Sequence, residues 1–489
     1  MRAPPSMLGT QKLAALSSSS RPAFSRCLLG ANNAAAAAAA GAGAAKQLDK
    51  RCFHATPSRP VFRAAWMPMR HMRVKTPWVD ALAQSREQQA SKPESAANEA
   101  PPKPDLTPKR MSDSYFSGIL PLAQDKWLLD SYLNASGRIR LGTLFMDLDA
   151  MAGVIAYRHT GDSVTTVTAA VDRITLLNPL KEICDLELSG QVTYATGRSS
   201  TEISLQVAKA PAEGEKVKPE DVLITCAFTM VSLDPATKKP VPVAPLLIET
   251  EEERKLFQKG EENYNAKKAS RNTSSLFKAP DEAETKLIHD MWSKQTLSDD
   301  PVHYIPEAQQ MKKTIIRSAM IMQPEDRNRH NFMIFGGFLL QKTFELAFSC
   351  AASFSHCRPT FVALDPSTFE NPVPVGSVLY MSAGVAYTEP LQSHHNHDQE
   401  EGGSKKSTYT KVHIRVETKV RDVEHVTKKS TGVFHYSFIV PSKVQVLPVT
   451  YIDYMVWLDA RRRAQDLDPI IASRFTEDLA SERVDGVTE

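Results

Sequence analysis

One stretch of the chain is written twice. The segment VDRITLLNPLKEICDLELSGQVTY, starting at Val171, aligns without a gap with LDPSTFENPVPVGSVLYMSAGVAY, starting at Leu364, at a constant offset of 193 residues. Asp172, Thr175, Asn178, Pro179, Leu186, Ser189, Val192 and Tyr194 recur as Asp365, Thr368, Asn371, Pro372, Leu379, Ser382, Val385 and Tyr387. Asn-Pro at the same place in both copies is a shared turn device. The offset is too long for a solenoid repeat, so a whole domain has been duplicated. Each copy is preceded by a long apolar stretch of helical period, 141–157 in the first and the run after Gly336-Gly337 in the second. After the first come alternating, strand-like segments at 164–171, 183–194, 202–207 and 222–233. A single long helix followed by antiparallel strands predicts an α+β unit whose sheet wraps its helix, present in two copies.

Of the 489 residues, 42% are hydrophobic and 24% are charged, the profile of a chain with ordinary packed cores. No apolar run is long enough to span a bilayer; the Ala-rich stretch at 34–45 is too short and too weakly hydrophobic. The first 79 residues hold one acid, Asp49, among Arg2, Arg21, Arg26, Arg51, Arg59, Arg63, Arg70 and Arg73. That composition predicts a mitochondrial transit peptide over 1–53, ending in Arg51-Cys52-Phe53 before His54. Residues 1–53 carry seven Lys/Arg and one acid, a net of +6, so their removal takes the chain from +3 to about −3. The basic balance therefore belongs to the leader and gives no support for a nucleic-acid partner. Cys184, Cys226, Cys350 and Cys357 lack paired CxxC spacing and read as buried small apolar residues in a reduced compartment. His394, His395 and His397 lie in a Gly- and acid-containing polar insertion, which reads as a hairpin loop; no metal site is expected there.

The organisation expected from these signals is a leader (1–53), a flexible linker (54–110), a first domain (111–245), a charged and solvated helical connector (246–305), a second domain (306–465) and a polar tail (466–489). In the second domain, Val412, Ile414, Val416 and Val420 are predicted to face a core. Lys411, His413, Arg415, Glu417 and Lys419 then fall on the other face. Residues 451–463 read as a short amphipathic helix.

The chemistry concentrates in QPEDRNRHNFMIFGGFLLQKTFELAFSC, residues 323–350. A helix that opens directly after two glycines presents unpaired N–H groups, which suit a carbonyl oxygen gaining charge during acyl transfer. There is no GxSxG elbow and no nucleophile with an evident His partner, so serine-type hydrolysis is poorly supported. The polar loop, the Phe-Gly-Gly and the long helix together resemble the signature of hotdog-fold acyl-CoA thioesterases. The resemblance is to the mitochondrial, brown-fat-inducible type, the acyl-CoA thioesterase 9 family, and covers roughly residues 114–460. It implies a double hotdog, two tandem units each with a central helix wrapped by an antiparallel sheet. In related hotdog enzymes an acid on one unit's central helix works with an Asn in the loop before the other unit's helix.

Carried onto this chain, the resemblance divides the parts between the copies. Asp149 lies seven positions after Gly142, whereas Phe344 lies seven after Gly337, with Glu345 one step off. The second loop carries Asn328, His330 and Asn331 ahead of Gly336-Gly337; the first loop, Asn134 to Gly142, lacks a Gly pair. One competent site is therefore expected, with Asp149 as general base, Asn328 or Asn331 holding the water, and the Gly337 N–H polarising the thioester carbonyl. The loop is one residue longer than the family pattern and leaves both asparagines as candidates, Asn328 being preferred. Gly336 and His330 are expected to contact substrate. Asp147 is expected in solvent, Asp149 at the interface. The function implied is hydrolysis of acyl-CoA to free acid and coenzyme A in the mitochondrial matrix. No cofactor is needed, and the resemblance suggests a homo-oligomer, a trimer of double hotdogs. The alternative is a non-catalytic acyl-CoA-binding or scaffold protein of the same fold; a hydratase is disfavoured because its Asp/His pair is not apparent.

The leader gives a direct expectation. Protein taken from isolated mitochondria should begin close to His54 on N-terminal sequencing, and an uncleaved chain in the cytosol would contradict it.

Overall fold

The computed structural model describes residues 104–178, 180, 182–212, 214–272, 278–298, 308–328, 333–391, 409–422, 427–467 and 471. All of them fall within the compact unit Met72–Glu489. The first copy runs β1 (Lys109–Arg110), α1 (Met111–Ser114), β2 (Phe116–Leu120), α2 (Lys126–Tyr132) and α3 (Leu141–Thr160). It continues with β3 (Thr165–Val171), β4 (Ile174–Leu176), β5 (Leu186–Tyr194), β6 (Ser200–Lys209), β7 (Val222–Leu233) and β8 (Leu246–Leu247). Two helices follow, α4 (Glu251–Asn272) and α5 (Glu282–Ser298). The second copy repeats the plan with β9 (Ala308–Gln310), β10 (Ile316–Ile321), α6 (Gly336–Ser355), β11 (Thr360–Leu364) and β12 (Ser367–Thr368). It ends with β13 (Val378–Leu391), β14 (Tyr409–Arg421), β15 (Lys428–Val440), β16 (Gln445–Leu447) and α7 (Tyr451–Gln465).

Each copy bends an antiparallel sheet round one 20-residue helix, α3 or α6, the hotdog arrangement. The sheets join into a single 12-stranded sheet, through β4–β11 (Thr175↔Ala363, Ile174↔Leu364) and β3–β12 (Val171↔Ser367, Ala170↔Thr368). The start of the duplicated segment, Val171, Ile174 and Thr175 in one copy and Leu364, Ser367 and Thr368 in the other, therefore lies at the seam. The two central helices pack against each other inside one continuous core. Helix α3 stops where Gly161 takes φ +73, and α6 where His356 enters the left-handed region at φ 53.

The outer faces of the two sheets are also covered, which period-2 alternation does not reveal. Helix α7 lies over β13, with Trp457 on Tyr387 at 5.0 Å between ring centroids, and reaches β14 where the Lys411 ammonium donates to the Ala464 carbonyl at 3.5 Å. Lys411 and His413, on the face opposite Val412 and Ile414, are therefore buried: Lys411 pairs with Glu389 at 2.7 Å, and His413 meets Ser437 at 3.0 Å. Burial, with the Lys411 and Arg463 cations nearby, pushes the His413 imidazole down to about 3. The first copy uses the matching tyrosine: Tyr194 packs on Phe257 of α4 at 4.9 Å. Gly260 lets α4 approach, since a Cβ there would stand 2.5 Å from the Tyr194 Cβ. The connector helix α4, expected to be solvated, thus docks by one face while most of its residues stay exposed. Cys226 and Cys350 are buried, Cys184 and Cys357 half-buried, and all four are free thiols.

Lys267 closes that docked face. Its ammonium is within 2.6 Å of Asp172, 3.1 Å of Glu202 and 2.6 Å of the Thr229 hydroxyl. Removing it leaves two shielded carboxylates without their cation, which costs at most about 3–5 kcal/mol. Lys267→Met should lower Tm by several degrees in a thermal melt, and an unchanged Tm would show that α4 is held by its aromatic contacts alone.

Candidate active site

Asp149 sits in the ninth position of α3, fully buried, and its two oxygens are claimed from both halves of the chain. The Thr168 hydroxyl on β3 donates to Oδ1 at 2.6 Å, and the Gly337 backbone N–H, at the start of α6, donates to Oδ2 at 2.5 Å. The glycine pair makes this approach feasible. A Cβ at Gly337 would stand 2.8 Å from the Met146 carbonyl oxygen, and one at Gly336 would stand 3.0 Å from Asp149 Oδ2. Burial raises the carboxyl from 3.8 to about 6, against the lowering effect of the Thr168 and Gly337 bonds.

Asp149, Gly336 and Gly337 are therefore brought together as the sequence suggested. Asn328 lies in the turn that closes onto the same helix start, where the Phe335 N–H bonds the Asp326 carbonyl at 3.0 Å and the Asn328 N–H bonds the Met333 carbonyl at 2.7 Å. The Asn328 Oδ1 is buried and makes no hydrogen bond among the described residues. His330 and Asn331 lie outside the described residues. Thr168 was missed by sequence reasoning; a threonine in a β-branched strand carries no separate signal, and only the fold sets it opposite Asp149.

Asp147 corrects an expectation. It is 6% exposed and accepts a hydrogen bond from the Tyr132 hydroxyl of α2, and burial raises its carboxyl to about 7. The short helix α2 packs over that side of α3, a contact hidden from any periodicity within α3 itself.

The pseudo-twofold partner of the site is built from hydrocarbon. Phe344 is the ninth residue of α6, matching Asp149 in α3. Thr168 faces Met230 just before an irregularity in β3, and Phe361 faces Phe438 just before the same irregularity in β11. So the hydrogen-bonded pair Asp149–Thr168 has as its counterpart the ring pair Phe344–Phe361, edge to face at 5.4 Å and 82°. Phe145, Phe438 and Tyr436 extend this cluster, with centroids 5.3–6.1 Å from Phe344. Edge-to-face pairs of this kind contribute about 0.5–1.5 kcal/mol each beyond area burial. Glu345, the single acid on α6, is engaged by Arg140 of the first copy and by Lys342 at 3.3 Å. Groups of His, Cys, Asp or Glu arranged to hold a metal are absent among the described residues.

No family model matches the chain. It is 33% identical over 370 residues to the mitochondrial acyl-coenzyme A thioesterase 9 of Homo sapiens, across 73% of this chain and 78% of the relative. The chain belongs to the acyl-coenzyme A thioesterase 9 family. The chloroplastic acyl-coenzyme A thioesterase 2 of Humulus lupulus is 32% identical over 348 residues, across 70% of this chain and 76% of that protein. Among solved structures, an acyl-ACP thioesterase from Bacteroides thetaiotaomicron is similar over 67% of this chain and 99% of its own, at 10% identity and a TM-score of 0.36.

The acid of this family member is held at a cost to folding. A carboxyl raised from 3.8 to about 6 favours the protonated folded state, so the stabilising protonation is complete below about pH 4 and lost as pH rises through 6. The difference corresponds to at most about 3 kcal/mol. Asp149→Asn, whose amide can still accept from Gly337 and donate to Thr168, should therefore melt higher than the parent at pH 7.5, with the gap closing towards pH 4. Equal Tm values at both pH values would show that the buried charge carries no such cost.

Proposed function

We propose that this chain hydrolyses acyl-coenzyme A to free acid and coenzyme A, with Asp149 as general base. The observation that carries the reading is the buried carboxylate clamped between Thr168 and the Gly337 N–H at the junction of the two halves. Asp149 takes a proton from water and the hydroxide adds to the thioester carbon. The tetrahedral intermediate then expels the thiolate, which receives the proton back from the Asp149 carboxyl. Thr168 keeps the reacting carboxylate in one orientation. The Gly337 N–H, bonded to Asp149 in the free chain, is the donor on which the thioester oxygen would gather negative charge, so substrate binding exchanges one oxygen for the other. Asn328, with an unmet side-chain oxygen on the adjoining turn, holds the water. A purely binding or scaffold role would not require a charged carboxylate to be kept buried at the seam.

The names of the mitochondrial relatives and the Arg-rich, acid-poor leader support residence in mitochondria, and the leader supports the matrix. A homo-oligomer, and within it a trimer of double hotdogs, follows from the family resemblance. The division into 1–53, 54–110, 111–245, 246–305, 306–465 and 466–489 is retained as the working domain scheme.

Thiol release from acyl-CoA tests the reading. Asp149→Asn should lower turnover by about 10²–10⁴ in a chain that still folds. Glu345→Gln should keep most of the activity, and kcat/KM of the parent should fall below about pH 6 as Asp149 protonates. Near-normal turnover by Asp149→Asn would place the base elsewhere.

A further inference from the structure

Strand β10 is the outermost strand of the 12-stranded sheet, and its one ladder partner among the described residues is β13. Its side chains alternate: Arg317, Ala319 and Ile321 are exposed, while Ile316, Ser318 and Met320 are half-buried. Residues facing each other in an antiparallel ladder share a side of the sheet, so the register carries this exposed side inward. Ile321, Val378, Arg421 and Lys428 make one row across β10, β13, β14 and β15. Ala319, Tyr380 and Lys419 make the next. Helix α7 covers the outer side further along β13, at Tyr387, and stops short of these rows. Ile321 is 60% exposed, Tyr380 38% and the Lys419 side chain 50%.

The charges on this face are one-sided. Glu417, in the row of Arg317, is already held by Arg415 and by Lys419 at 2.9 Å. Arg317, Arg421 and Lys428 have no acid within ion-pairing distance among the described residues. Asp422 turns to the other side, where it lines a hollow with Val420 and Lys429. A single charge is enough to guard an edge strand, so edge protection accounts for Arg317 alone. The duplication supplies a comparison. In the matching rows of the first copy, Ser117 stands in the place of Arg317 and Glu187 in that of Tyr380. Ala208 stands in the place of Lys419, and Ala210 in that of Arg421. The same scaffold therefore folds without the cations and without the exposed ring.

We propose that this face seats the protein on a membrane surface that carries anionic headgroups. Ile321 and Tyr380 enter the interface, where an aromatic ring with a polar tip is at home, and the four cations around them meet phosphate. Apolar contact and charge attraction act together in such reversible binding. The chain without its leader is net negative, about −3, so attraction to an anionic surface has to come from a local patch.

The test uses the mature chain recovered from mitochondria, because the Arg-rich leader would itself bind anionic lipid. The chain should sediment with vesicles of phosphatidylcholine mixed with phosphatidylglycerol, come off in high salt, and ignore phosphatidylcholine alone. Arg317→Glu combined with Arg421→Glu should weaken binding about ten-fold or more. Ile321→Ser combined with Tyr380→Ser should weaken it too, although no charge changes. Reversing the exposed Lys255 and Lys259 of α4 should leave it unchanged. Tm and thiol release from acyl-CoA without vesicles should stay near the parent's in every variant. No binding by the parent, or equal binding by the Arg317/Arg421 variant, would overturn the proposal. Binding that needs the arginines but not Ile321 and Tyr380 would overturn it in favour of a soluble acidic partner. A raised KM for acyl-CoA in the arginine variant would instead assign those cations to the substrate's phosphates.

Discussion

Two hydrogen atoms, the side chains of Gly336 and Gly337, set how closely the halves of this chain can meet. With any larger side chain at 337, the start of α6 would collide with the Met146 backbone and retreat from α3. The Gly337 N–H would then no longer reach Asp149, and water would enter beside the carboxylate. Burial, the raised pKa and the fixed orientation of the acid all depend on that one approach. The seam strands make it reproducible, because β3–β12 and β4–β11 hold the two sheets in a single register.

The fold was legible because it is duplicated. Eight identities at a fixed offset revealed the duplication, and the helical and alternating periods on either side placed the elements around it. Asp149 and the Gly pair could be read from their spacing within helices. What escaped was whatever depends on a third element packing from outside. Asp147 looked solvated until α2 covered it, and nothing in the alternation of β14 signals that α7 buries Lys411 and His413 on its second face. Thr168 escaped for a related reason: its role exists only across the gap between a strand and a helix, where no one-dimensional pattern extends. His330 and Asn331, both singled out in the sequence, lie outside the described residues.

The contrast between the two pseudo-equivalent positions separates packing from chemistry. Ring pairs at Phe344 and Phe361 give that end of the core dense, satisfied apolar contact. Asp149 and Thr168 give the other end a desolvated charge held by two donors, which favours folding less. A chain selected for stability alone would carry the aromatic solution at both ends.

Joining the copies in one chain also changes what each is free to become. In a dimer of identical single units, every residue is read twice by the symmetry, so an aromatic plug at one end would be stamped on the other and the acid lost with it. The covalent link through α4 and α5 breaks that mirror. One half can specialise as the bearer of the acid and the other as the bearer of the helix start. Of the two matching helix positions only one thus carries a carboxylate, and the halves have become complements that cannot be exchanged for one another.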